Sequence, residues 1–161
     1  MREILFKGKS LRDKQWHCGS FAIVKSVLFE NEFIGAILPW YAVSFGHGNF
    51  RYEEPVDLAT VCQYTGLKDR NGDRIFEGDI VQIWWLGDES DPPVKYKAVV
   101  EFGNPNCEFN WGYQLRPLDY IPYNLDILLW VEGENDRAFC EIIGNIHDNP
   151  ELLEVNNDVP V

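Results

Sequence analysis

Basic residues are in short supply. The chain of 161 residues has 14 Lys and Arg against 26 Asp and Glu, a net charge of −12. The deficit is not evenly spread. Residues 1–62 carry seven basic and seven acidic groups, while residues 63–161 carry seven and 19, so the whole excess lies in the second part. Affinity for duplex nucleic acid comes largely from Lys and Arg displacing counterions from phosphates, and no basic stripe exists to supply it. The same shortage excludes docking on an anionic membrane by charge.

Other absences narrow the field further. Cys18, Cys62, Cys107 and Cys140 form no C-x-x-C pair, so neither a zinc knuckle nor a redox motif is written in the chain. The start, MREILFKGKS, lacks an apolar signal core, and a cytoplasmic protein with reduced, mostly packed thiols is expected. The charge-free stretch Phe33–Gly46 is too short for a spanning helix and contains Pro39. No membrane association is expected.

Chemistry-bearing patterns are also missing. There is no G-x-S-x-G, H-E-x-x-H or G-x-x-x-x-G-K-[ST]. Histidines number three, His17, His47 and His147. His17 and Cys18 are adjacent, but neighbours on a strand point to opposite faces and cannot form a dyad. The expectation is therefore no enzyme, with no catalytic, cofactor-binding or metal-ligating residue.

What is present is apolar and aromatic. Hydrophobic residues make up 45% of the chain, with six Trp, seven Tyr and ten Phe, enough to build a core and exclude global disorder. REILFKG and KSLRDKQWHCGSFAIV read as strands joined by a polar turn at residues 9–14. SVLFENEFIGAIL reads as a hairpin, Ser44–Pro55 as a loop, and VDLATV as one helical turn capped by Asp57.

From residue 66 the turn signals sharpen. Asn71-Gly72 tolerates positive φ at both positions and predicts a tight turn. Gly66 and Gly78 are further turn formers, and the Asp79 carboxylate is placed to accept local backbone N–H groups. EGDIVQIWW then forms a strand with apolar residues on both faces, predicting cover on both sides. Asp69, Asn71 and Asp73 mimic the first positions of a calcium loop. The pattern fails at Arg74, where glycine is required, and at Ile80, where glutamate is required.

VKYKAVVEF reads as a strand, and the stretch from Asn104 to Asn124 as irregular. LDILLWVEGENDRAFCEIIGNIHDN reads as two strands turning at residues 132–136. NPELLEV reads as a short C-terminal helix with Asn149 as N-cap and Pro150 at its first position. Trp111, Tyr113, Tyr120 and Tyr123, beside Pro117 and Pro122, form a candidate binding platform or an oligomer contact.

Three stretches resemble the YopX family of phage and prophage proteins. These are MREILFKGK with Trp16 and Gly19, VDLATVCQYTGLKDRNGDRIFEGDIV at Val56–Val81, and EIIGNIHDNPELLE at Glu141–Glu154. Leu58 and Ala59 replace a frequent Pro-Glu pair, and Cys62 a common glycine. The resemblance implies an intracellular protein with no defined catalytic residue.

The reading is a mainly β protein. Residues 1–62 are an N-terminal β region, and residues 63–161 an SH3-like small barrel with a short C-terminal helix, with one continuous domain as the alternative. The expected role is that of a phage or prophage accessory protein acting through protein–protein contacts as a homo-oligomer or with an unidentified host or phage protein. Nucleic acid is not the expected partner. The competing readings are a nucleic-acid binder stacking bases on Trp111, Tyr113 and Tyr120, and a DNA mimic displaying Asp88, Glu89, Asp91, Glu132, Glu134 and Asp136.

Overall fold

A computed structural model describes residues 3–25, 33–38, 54–86, 93–103, 112–118, 126–131 and 138–154. It is mainly β and antiparallel, with two compact units, Met1–Tyr64 and Thr65–Val161.

In the first unit, β1 (Phe6–Lys9) pairs with β2 (Trp16–Lys25), and β2 pairs with β3 (Phe33–Leu38). The short β4 (Glu54–Pro55) lies on β3, and the start of β5 (Cys62–Lys68) lies on the other side of β1. The polar turn after β1 is tied by Ser10, whose hydroxyl accepts from the N–H groups of Arg12 and Asp13 at 2.9 and 3.1 Å. Asp57 caps the single 3-10 turn Leu58–Thr60 by accepting from Ala59 N–H at 3.0 Å. That is the turn VDLATV predicts.

In the second unit, the end of β5 pairs with β6 (Arg74–Phe76). A four-stranded sheet follows, with β7 (Asp79–Trp85), β8 (Val94–Gly103), β9 (Gly112–Pro117) and β10 (Ala138–Asn145) in the order β10-β7-β8-β9. The described residues show no closed barrel. β7 is covered on both faces, as its two-sided apolar pattern requires. Val81 and Ile83 join Ile75, Ala98, Val100, Leu115, Ile127, Trp130 and Cys140 in one core. Ile80 turns the other way, onto Val99 and Leu118, with Leu152 and Leu153 packed against them.

Several elements differ from the expectation. Glu54–Pro55, read as the end of a loop, is the short strand β4. Leu128–Val131, read as part of a strand, is one helical turn, α1. The Asp126 carboxylate accepts from Leu128 N–H at 3.0 Å and starts the turn, which then inserts Trp130 into the core at 3% exposure. Gly112–Pro117, read as irregular, is the outer strand β9, and Pro117 ends it where a missing N–H does least harm. The C-terminal helix is a single 3-10 turn, Pro150–Leu153. Its N-cap residue, Asn149, makes no capping bond to the turn and instead accepts from Asn145 N–H at 3.3 Å. No helix among the described residues is long and apolar enough to cross a membrane.

Gly144 marks a register shift in β10 between Ile142 and Gly144. A Cβ there would meet Asn149 Oδ1 at 2.6 Å and Leu152 Cδ1 at 2.9 Å, so a larger residue would have to push these side chains aside.

Candidate functional site

The acidic hairpin loop between β5 and β6 is built around one carboxylate. Asp69, 7% exposed, accepts through Oδ1 from the N–H groups of Asn71 and Asp73, both at 2.9 Å. Its Oδ2 accepts from Ile142 N–H at 3.1 Å, on the outer side of β10. Arg70 N–H donates to the Cys140 carbonyl at 3.1 Å beside it. Backbone donors thus occupy both oxygens, and the loop binds the flank of β10. The Asn71-Gly72 turn differs in detail from the expectation. Gly72 takes φ 87°, whereas Asn71 does not have positive φ. The Asx bonds from Asp69 hold Asn71 on the ordinary side, and glycine alone takes the left-handed step.

A second carboxylate organises the entry to β7. Gly78 sits at φ 78°, whereas Gly66, expected in a turn, lies inside β5 at φ 89°. The Gly78 carbonyl accepts from Ile146 N–H at 3.0 Å, while its own N–H donates to Val100 at 2.8 Å. Asp79, 1% exposed, accepts from Phe76 N–H at 2.7 Å and from Asn145 Nδ2 at 2.9 Å. Asn145 is the partner that sequence reasoning missed, since 66 residues separate the pair. What these two carboxylates do chemically is accept hydrogen bonds and fix three strands.

Cys140 stands on the inner side of this arrangement. Burial pushes its thiol up to about 12, and the Asp69 and Glu141 carboxylates push the same way. A thiol reacts as its thiolate, so Cys140 is expected to resist alkylation in the folded protein. Cys18, which is exposed, is expected to label first. Peptide mass spectrometry after brief iodoacetamide treatment, with and without urea, checks this order.

Of the four candidate aromatic residues, Trp111, Tyr120 and Tyr123 lie outside the described residues. Tyr113 is on β9, half-buried, with its ring edge-on to Phe102 at 5.1 Å and 67°. Phe102 is 58% exposed. The six acidic residues of the DNA-mimic reading also lie outside the described residues.

The structure adds an aromatic column that the sequence reading did not assemble. Trp84 stacks on Phe139 at 5.9 Å and 23°. The Lys95 ammonium lies 4.0 Å from the Trp84 ring and the Arg70 guanidinium 4.0 Å from Phe139. Cations therefore cover both outer ring faces, and the column is closed to a stacking base. The Trp84 Nε1–H is buried with no acceptor among the described residues.

Against this geometry, the family profile described as YopX protein matches residues 9–154. The chain belongs to the YopX family. No curated protein matches it. A solved structure similar to it is protein EF1440 from Enterococcus faecalis. It is 21% identical, covers 96% of this chain and 100% of that one, and has a TM-score of 0.45.

The YopX match takes in the Asp69 loop, the Gly78-Asp79 turn and the Asn145 end of β10. Leu58 and Ala59 form the 3-10 turn, and Cys62 is buried with its thiol 3.3 Å from the Thr60 carbonyl.

Proposed function

We propose that this YopX-family protein is a non-enzymatic accessory protein of a phage or prophage. It works in the host cytoplasm through protein–protein contacts and assembles with copies of itself. The observation that carries the reading is the uncovered end of β8. Val94, Tyr96, Ala98, Val100 and Phe102 occupy one face of that strand. Ala98 and Val100 are fully buried, yet Phe102 is 58% exposed beside the half-buried Tyr113. Apolar area left in water is worth about 25 cal/mol per Å² when covered. A two-fold contact sets each residue near its own copy, so an aromatic centre suits a chain of net charge −12 better than a charged one.

The non-enzymatic part of the reading is supported by Asp69 and Asp79, whose oxygens accept structural hydrogen bonds. As part of the same proposal, the second unit is an SH3-like barrel. The bond from Arg70 N–H to Cys140, which carries the hairpin onto the outer side of β10, supports this.

Light scattering is expected to give a mass above the 18.7 kDa of one chain. Phe102→Asp is expected to return that mass to the monomer value with little loss of stability, because the ring is mostly exposed already. A wild-type protein that stays monomeric at high concentration removes the reading. Binding of single-stranded DNA at low salt would instead favour the nucleic-acid alternative.

A further inference from the structure

Three side chains of metal-ligating type converge in the first unit, two from one hairpin and the third from a distant strand. Asp13 is on the turn between β1 and β2, His17 is near the start of β2, and Glu54 opens β4. One ligand atom from each lies within 4.8 Å of the other two. Oxygen and nitrogen ligands about 2.0–2.2 Å from a zinc-class ion stand roughly 3–3.5 Å apart, so small side-chain rotations bring the three into range.

Neighbours already hold two of the groups in place. Asp13 Oδ1 accepts from Gln15 N–H at 2.8 Å, which leaves Oδ2 facing His17 Nε2 at 3.0 Å. The Gln15 N–H, and then the His17 ring, hold the Asp13 carboxyl below its usual range. Glu54 Oε1 accepts from the Ser10 hydroxyl, and Ser10 is 1% exposed. The other Glu54 oxygen stands 3.7 Å from Arg12, whose side chain is 56% exposed and able to swing away. Asp13 is exposed, and His17 and Glu54 are half-buried, so an ion has open access and room for water.

We propose that Asp13, His17 and Glu54 form a site for one divalent transition-metal ion of zinc's class, with water completing the shell. The ion takes the place of the hydrogen between His17 Nε2 and Asp13 Oδ2. Two carboxylates and one imidazole suit a borderline ion better than the oxygen-only shells that calcium and magnesium prefer. Bound there, it ties the β1–β2 turn to β4.

Calorimetric titration of zinc chloride into the full, reduced chain tests this. One saturable ion per chain is expected at about pH 8. Binding should weaken strongly by about pH 5, because imidazole must shed its proton to ligate. His17→Ala should abolish binding and Glu54→Gln should weaken it about tenfold or more, while His147→Ala leaves it unchanged. The exposed Cys18 is the rival soft donor, so Cys18→Ser must retain the site. Circular dichroism in EDTA verifies that each variant folds, and Glu54→Gln decides the matter if His17→Ala does not. Absence of saturable binding, loss in Cys18→Ser, or unchanged affinity in a folded His17→Ala or Glu54→Gln protein overturns the proposal.

Discussion

Replacing Asp79 with alanine is expected to destabilise the protein by about 3–5 kcal/mol. The side chain is 1% exposed and takes hydrogen bonds from Phe76 N–H and Asn145 Nδ2. Without it, two buried donors lose an acceptor, and each such loss costs about 1–3 kcal/mol. The damage falls where β6 turns into β7 and where β10 ends, which is a single end of the antiparallel ladder between β7 and β10, so that end loosens. Asp79→Asn keeps the volume and one carbonyl oxygen, and should lose roughly half as much. Urea unfolding followed by fluorescence measures both variants. A midpoint for Asp79→Ala within error of the wild type would mean that water or a shifted backbone replaces the carboxylate.

Trp130→Ala is expected to cost a similar amount, about 3–5 kcal/mol. Trp130 is 3% exposed and sits in the main core with Ile83, Val100 and Leu115. Its ring also meets Trp85 edge-on at 6.1 Å and 73°. A single helical turn has no independent stability, because nucleation is unfavourable and few bonds repay it. Residues 128–131 therefore hold their shape through the anchored indole and the Asp126 bond to Leu128 N–H. Removing the indole leaves a cavity and should release the turn as well. Amide exchange at the residue 130 N–H, which in the wild type donates to Ile127 at 3.0 Å, should then accelerate in the variant along with the drop in urea midpoint. Loss of stability with unchanged exchange would show that the turn stands without its anchor.

These two residues mark the boundary of what a linear reading reaches. The β7 strand and the glycine turns before it are local patterns, legible from alternation and backbone chemistry alone. Trp130 lies in LLWV, an all-apolar stretch in which neither a period of 2 nor one of 3.6 can be counted, so strand and helix look alike there. β9 was hidden by its flanking glycine and proline, which signal irregularity until the register with β8 is known. The Asp79–Asn145 bond and the Asp69–Ile142 bond span 66 and 73 residues, and no spacing rule connects such partners. Asp13, His17 and Glu54 escaped for the same reason, as Glu54 reaches the turn only through the pairing of β3 with β4 and the Ser10–Val56 bridge. Trp84 lies on the strand that its alternation predicts, but its column with Phe139, Lys95 and Arg70 exists only across three strands and a loop.

The carboxylate of Asp69 has one more effect, on the fate of the molecule in a crowd. An outer strand whose N–H and C=O groups face water invites a like strand from the next molecule, and such growth leads to fibres. Along β10 the Ile142 N–H and the Cys140 carbonyl are already engaged by the hairpin loop. Newly made copies crowded together thus find that flank closed to stacking at these two groups.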